Sequence, residues 1–335
     1  MRVHLYNGSL GLVRRSGVGQ AFYHQKAMLE QAGVAVTESW DTHADAVHIN
    51  TVLPDAVFAA LRARMRGETV VYYGHSTMQD FRDSFVGSNL LAPLFGRWIR
   101  FCYDLGDFII TPTPYSRQIL ESYHLKKPVC VLSNGVDTDF FAPDPARREH
   151  FRRAHQLADD QPVVVSVGHY FERKGILDYI ELARAMPEVC FFWFGYTEPA
   201  LTPAHVREAM AAAPGNLHFA GYVDQAALRD AYCGADAFVF CSHEETEGIV
   251  VLEALACGVP VVVRDIPVYE GWLSDGREVL KRHDVAGFRS AIGDILGGAW
   301  PDLAKNGRAA ACARNMKALG QRLCDLYRTQ GKRPA

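Results

Sequence analysis

The chain has 335 residues, 49% of them hydrophobic and 22% charged, with a formal net charge of −3 at neutral pH. That length exceeds what one core comfortably organises, so two domains are expected. The charge excludes a broad electrostatic footprint for nucleic acid and leaves any attraction to an anionic surface to local basic patches. Eight cysteines are scattered with no C-x-x-C pair, which argues against a zinc site or a disulfide framework and for reduced thiols in the cytosol. The opening residues lack the long apolar core of a signal peptide, and no uninterrupted apolar run approaches membrane-spanning length. The expectation is a protein that lies on a membrane at most and does not cross it.

Short β-branched or aromatic runs alternate with helical periodicity along the chain. RVHLYN (2–7), AVHIN (46–50), TVVYYGH (69–75), FIITPT (108–113) and VCVLSNG (129–135) read as strands, with helices such as 19–33 and 55–66 between them. The alternation then restarts with PVVVSVGHY (162–170), VCFFWFGY (189–196), LHFAGY (217–222), AFVFCS (237–242) and PVVVRD (260–265). Continuous apolar strands alternating with helices predict parallel sheets covered on both faces. The fold class is therefore α/β, with two doubly wound Rossmann-like domains facing a cleft. The charged, proline-containing stretch at 142–150 is the linker candidate. The expected division is 1–143, 144–302 and a helical tail at 303–335 that packs back on the first domain, with the last five residues frayed.

Two carboxylates mark a candidate site. Glu245 and Glu253 are separated by seven residues, and Glu253 interrupts the apolar run Ile249–Leu255. An unpaired buried carboxylate costs several kcal/mol, so a reason is needed. AFVFCS ends near Ser242, Gly248 falls where a tight strand-to-helix turn belongs, and 249–257 reads as a helix closed by Gly258 and Pro260. That places Glu245 in a loop at the carboxyl end of a parallel strand, where open α/β sheets bind ligands, and Glu253 about one turn into the helix. The helix N-terminus suits a diphosphate, and a nearby carboxylate suits sugar hydroxyls. A solvated loop Glu with a core-edge Glu paired to an Arg is the plain structural alternative.

EETEGIVVLEALACGVPVV (244–262) resembles the signature of glycosyltransferase family 4, retaining nucleotide-sugar enzymes of the GT-B fold. SGVGQ (16–20), SNGVD (133–137) and ERKG (172–175) are similar to that family's glycine loop, pre-linker motif and phosphate loop. HINT, GHSTMQDFRDSF, ITPTPYS and RDIPVYEGWL resemble one subgroup, the bacterial 1,2-diacylglycerol 3-glucosyltransferases. The resemblance implies that Glu253 binds the nucleotide ribose and Glu245 the transferred sugar. It also implies that backbone N–H groups of Gly248, Ile249 and Val250 meet sugar and diphosphate, with Gly17 and Gly19 on the donor side. Thr246 and Glu247 stand where the family usually has Gly-Phe, which leaves the shape of the sugar pocket open.

His169 occupies the position where many members carry an Arg, so Arg173 and Lys174 are the candidate phosphate cations and, through the leaving group, catalytic residues. The alternative is a solvated basic pair at a helix start. The segment lacks the Gly-Lys-Ser/Thr ending of a P-loop, and SGVGQAF has Phe22 in place of a third glycine, so a dehydrogenase fingerprint is weak. His75, at a strand end, matches a family histidine near the reacting sugar, although a lone His is more often structural. Asp80 is a candidate for holding the acceptor hydroxyl. DTD (137–139) is read as a structural turn, with neither metal nor cofactor expected.

The implied reaction moves glucose from UDP-glucose to diacylglycerol, at the inner face of the cell membrane. The alternatives are another lipid or saccharide acceptor, a GT-B epimerase or a non-catalytic nucleotide-sugar binder. For contact with an anionic membrane surface, 88–106, with Leu94, Phe95, Trp98, Arg97 and Arg100, and 56–66, with Arg62, Arg64 and Arg66, are the candidates. A buried helix and a solvated basic face are the respective alternatives.

Overall fold

The computed structural model describes residues 1–9, 11 and 16–331. Apart from Gly331, the expected frayed end lies outside these residues. The described chain forms two compact units. The first comprises 1–81, 90–135 and the chain from Arg314. The second comprises Arg82–Asn89 and Val136–Ala313.

The first unit is built on a parallel sheet of β1 (Arg2–Tyr6), β2 (Ala35–Thr37), β3 (Ala46–Ile49), β4 (Thr69–Tyr73), β5 (Phe108–Thr111) and β6 (Val129–Val131), in the order β2-β1-β3-β4-β5-β6. The second sheet holds β7 (Val163–Val167), β8 (Cys190–Phe194), β9 (Leu217–Gly221), β10 (Ala237–Phe240), β11 (Val261–Arg264) and β12 (Leu280–Arg282), in the order β12-β11-β10-β7-β8-β9. Both orders reverse direction beside the unit's first strand, which is the doubly wound pattern. Strands β3, β4, β5, β7, β8, β10 and β11 are buried almost throughout, because helices cover both faces.

Capping residues set many helix starts. Thr113 and Ser116 form a reciprocal capping box at Pro114–Ser122, and Asp224 accepts from Ala227 N–H at Gln225–Gly234. The stretch expected to be a linker instead starts a helix, Pro145–Ala154. Asp144 caps it and Pro145 occupies its first turn, where the missing N–H of proline costs nothing. The units divide at 135/136, and the tail rejoins the first unit only at 313/314.

The tail helix Met316–Gln330 packs on Gly17–Gln31. A Cβ at Gly320 would lie 2.2 Å from Met28 O, so only glycine allows the backbones to approach this closely. At the sheet, Tyr327 Oη meets His48 Nδ1 at 2.5 Å. His48 is fully buried, and burial pushes its pKa down to about 3.

Candidate active site

In the second unit the chain reverses direction between β7 and β10, so their carboxyl ends form the crevice where such sheets take ligands. β7 leads through Gly168 to a single 3₁₀ turn, Glu172–Lys174, and then Gly175. Gly175 has φ 74°, and a Cβ there would lie 2.3 Å from Cys241 O. Glycine thus brings the basic turn directly against the end of β10.

Lys174 Nζ donates to Glu245 Oε1 in a largely buried ion pair, and Ser242 Oγ donates to the same oxygen at 2.7 Å. Burial by itself would raise the Glu245 pKa. The charges of Lys174 and Arg173, with the two hydrogen bonds, outweigh it and hold the carboxyl below its ordinary range. Arg173 is also buried, and two of its five donors serve the protein: Nε bonds Ser84 Oγ at 3.1 Å and Nη1 bonds Glu244 O at 2.8 Å. These bonds brace the loop that carries Glu245, and Lys174 keeps donors beyond the one given to Glu245, since an ammonium has three.

The helix Ile249–Ala256 starts at Gly248, whose φ is 86°. The first bond of this turn runs from Val251 N–H to Gly248 O. The N–H groups of Gly248, Ile249 and Val250 precede it and carry the positive end of the helix dipole. Tyr269 Oη lies 3.3 Å from where a Gly248 Cβ would sit, and it is buried with no hydrogen-bond partner among the described residues. One turn on, Glu253 is buried and accepts from Tyr232 Oη at 2.9 Å. Burial raises its pKa to about 7 against the opposing effect of that bond. The two carboxylates are held differently: Glu245 by a cation, Glu253 by a phenol.

In the first unit, His75 follows β4 and is buried, with Nε2 3.0 Å from Asn50 Oδ1. Burial lowers its pKa to about 3, with a smaller contribution from His48. Gly17 opens the helix Gly17–Gln31, where nothing within 4 Å among the described residues requires glycine, and Gly19 is buried in its first turn. Asp80 lies in a short helix, its N–H bonded to Thr77 Oγ1. Asp137 Oδ1 accepts from the N–H groups of Asp139 and Phe140, which makes DTD a capped turn.

Sequence reasoning missed Ser242, Tyr232, Asn50 and Tyr269 as site residues. Ser242, three residues before Glu245, had a local signal. The others had none, because the fold brings them in from distant elements.

Residues 16–140 match Glycosyltransferase Family 4, and residues 147–311 match Glycosyl transferases group 1. The processive diacylglycerol alpha-glucosyltransferase of Acholeplasma laidlawii is 41% identical over 329 residues, covering 98% of each chain. The chain belongs to glycosyltransferase family 4. The alpha-galactosylglucosyldiacylglycerol synthase of Streptococcus pneumoniae is 26% identical over 84% of this glycosyltransferase and 78% of that protein. Among solved structures, Anabaena Alr3699/HepE in complex with UDP-glucose has a TM-score of 0.73 at 17% identity, covering 98% of this chain and 100% of that one. Sucrose-phosphate synthase from Thermosynechococcus elongatus also scores 0.73, at 21% identity, covering 92% and 77%. These likenesses establish the GT-B fold of this glycosyltransferase, two Rossmann-like units in one chain.

Proposed function

We propose that this glycosyltransferase moves glucose from UDP-glucose to the 3-hydroxyl of a 1,2-diacylglycerol with retention, giving alpha-monoglucosyldiacylglycerol. The observation that carries this reading is the Lys174–Glu245 pair beside the helix start at Gly248, in a chain so similar to a diacylglycerol alpha-glucosyltransferase. The diphosphate is held by the N–H groups of Gly248, Ile249 and Val250 and by Lys174, which stabilise charge on the leaving group. Glu245 takes hydroxyls of the glucose and Glu253 those of the ribose. The bond from glucose C1 to the phosphate oxygen breaks, C1 bonds the diacylglycerol oxygen, and the hydroxyl proton passes to the departing phosphate. His75 orients groups around C1. Lys174 and the helix start supply positive charge at the diphosphate, so no metal is required.

Radiolabelled transfer from UDP-glucose to diacylglycerol micelles, run in excess EDTA and resolved by product, tests the reading. Label in a one-sugar lipid supports it, and a two-sugar product adds the processivity named for the Acholeplasma relative. No transfer to diacylglycerol, or activity only with added Mg²⁺ or Mn²⁺, refutes the corresponding part.

Glu253→Gln is expected to weaken UDP binding by about 1.5–3 kcal/mol, the range for a charged hydrogen bond. Since the wild-type carboxyl titrates at about 7, UDP affinity should rise between pH 6 and pH 8 and the variant should lose that rise. Calorimetry showing equal affinities would reject the ribose role.

The acceptor lipid is reached through an anionic membrane surface, which the protein meets peripherally. Among the described residues, no helix is long and apolar enough to cross a membrane. The helix Ser88–Asp104 presents Leu90 (86% exposed), Leu94 (65%) and Phe101, with Arg97 and Arg100 also exposed. Next to it, Pro54–Met65 presents Phe58, Leu61 and Met65 (82%). Trp98 contributes less to this surface: its Nε1 donates to Val52 O at 2.6 Å and its half-buried ring packs against the core, as does that of Phe95. Each basic residue near anionic lipid adds about 1 kcal/mol. Arg97→Glu/Arg100→Glu should therefore reduce sedimentation with phosphatidylglycerol vesicles at low salt, and 1 M salt should do the same to the wild type. A folded variant that binds undiminished would exclude this face.

A further inference from the structure

His75 is held on two sides. Its ring stacks on Tyr73, with centroids 4.2 Å apart and planes 18° from parallel, and Tyr73 stacks in turn on His48 at 5.8 Å. This fixes the plane of the imidazole. Its edge is fixed by Asn50, which stands at the carboxyl end of β3 beside the end of β4. Asn50 Oδ1 lies 3.0 Å from His75 Nε2, and Asn50 Nδ2 donates to Gln25 Oε1 at 2.7 Å. Gln25, Asn50 and His75 are all buried. The amide chain has a direction: because Asn50 Nδ2 donates to the Gln25 carbonyl, it is Asn50 Oδ1, an acceptor only, that meets the ring. An acceptor there requires a proton on Nε2. A neutral imidazole has only one such proton, so Nδ1 keeps its lone pair.

We infer that Asn50 is a positioning residue that holds His75 in the Nε2–H tautomer, leaving Nδ1 as a fixed acceptor for a substrate hydroxyl. This rests on the reading of His75 as a group beside the reacting sugar and deepens it. His75 then accepts a hydrogen bond, and it adds no positive charge where positive charge builds on C1. Burial and the neighbouring His48 both disfavour the imidazolium, and Tyr73 stacked on the ring and Asn50 bonded to it are uncharged at neutral pH.

The tautomer is read directly, without substrate, by two-bond ¹H–¹⁵N correlation on histidine-labelled protein. Wild type is expected to show His75 protonated at Nε2 alone, and a proton on Nδ1 overturns the inference. Asn50→Leu should mix the tautomers and lower kcat by roughly 10–100-fold, the scale of a misplaced catalytic group, with UDP affinity within about twofold. Asn50→Asp sets a carboxylate against Nε2, which raises the histidine pKa. The acid limb of kcat should then move to higher pH, a shift that a packing role would not produce and that a His75→Ala background should abolish. Wild-type kcat in a folded Asn50→Leu, or an unmoved limb in Asn50→Asp, also overturns it. Transfer by the wild type decides the functional reading separately, so the two failures are distinguishable.

Discussion

Lys174→Ala is expected to lower kcat by about 10²–10³-fold, the range for deleting one preorganised group that faces developing charge. Arg173 is expected to compensate only in part, because Ser84 and Glu244 fix the position of its guanidinium. The variant should also be less stable. Among the described residues it leaves the buried Glu245 carboxylate with only the Ser242 hydroxyl as a direct partner and Arg173 as a nearby charge, and breaking a buried ion pair from one side costs about 3–5 kcal/mol. The two effects separate in Lys174→Met/Glu245→Leu. Replacing both partners by apolar groups removes the stranded charge, so Tm should recover towards wild type while transfer stays lost. Stopped-time assays at saturating donor, alongside thermal melts, check both. A Lys174→Ala variant with wild-type turnover would rule out its role at the diphosphate.

Acid is expected to destabilise the fold well before most carboxylates titrate. His48 and His75 are neutral in the native state down to about pH 3, whereas in the unfolded chain they bind protons near 6.5. Below 6.5 the unfolded state therefore holds two protons that the native state lacks, and stability falls with pH. Glu253 has the opposite sign, since its native pKa of about 7 lies above its unfolded value. Between about pH 6.5 and 4.5 it offsets one histidine, so these three groups together contribute a loss of about 1.4 kcal/mol per pH unit. Below 4.5 Glu253 is protonated in both states, and the loss from the two histidines steepens to about 2.7 kcal/mol per unit. Denaturant titrations across this range give the slopes. His48→Asn should flatten the upper window, and an unchanged slope would show that His48 is not buried neutral.

Much of the architecture was legible locally. Parallel strands covered on both faces must be apolar along their whole length, so β3, β4, β7, β8, β10 and β11 stood out from the sequence. The edge strands β2 and β12 did not. Each has three residues and is only partly buried, so neither carries a continuous apolar run. The turn at Gly248 was also legible, because the switch from strand to helix there needs a residue tolerant of φ 86°. Asp144 and Pro145 were visible as well, but proline and charge mark a helix start as readily as a linker.

The sequence by itself picked out the candidate groups: in the second unit two carboxylates at a strand-to-helix turn and a lysine after a glycine-bounded loop, and in the first unit a histidine at a strand end. Spacing along one chain segment sets those positions, and helix and strand geometry are local. What each group does was decided by tertiary structure, since hydrogen-bond partners come from whatever the sheet order places alongside. Burial holds the Glu253 pKa near 7 against the bond from Tyr232, 21 residues away, whereas Lys174, 71 residues from Glu245, keeps its partner ionised. Arg173 and Lys174 are adjacent in sequence, yet one braces a loop and the other faces the site, because successive side chains in a tight turn point in different directions. Trp98 reads as an interfacial anchor from its neighbours, but the carbonyl of Val52, 46 residues away, satisfies the N–H of its half-buried indole, a bond an indole turned toward the core needs.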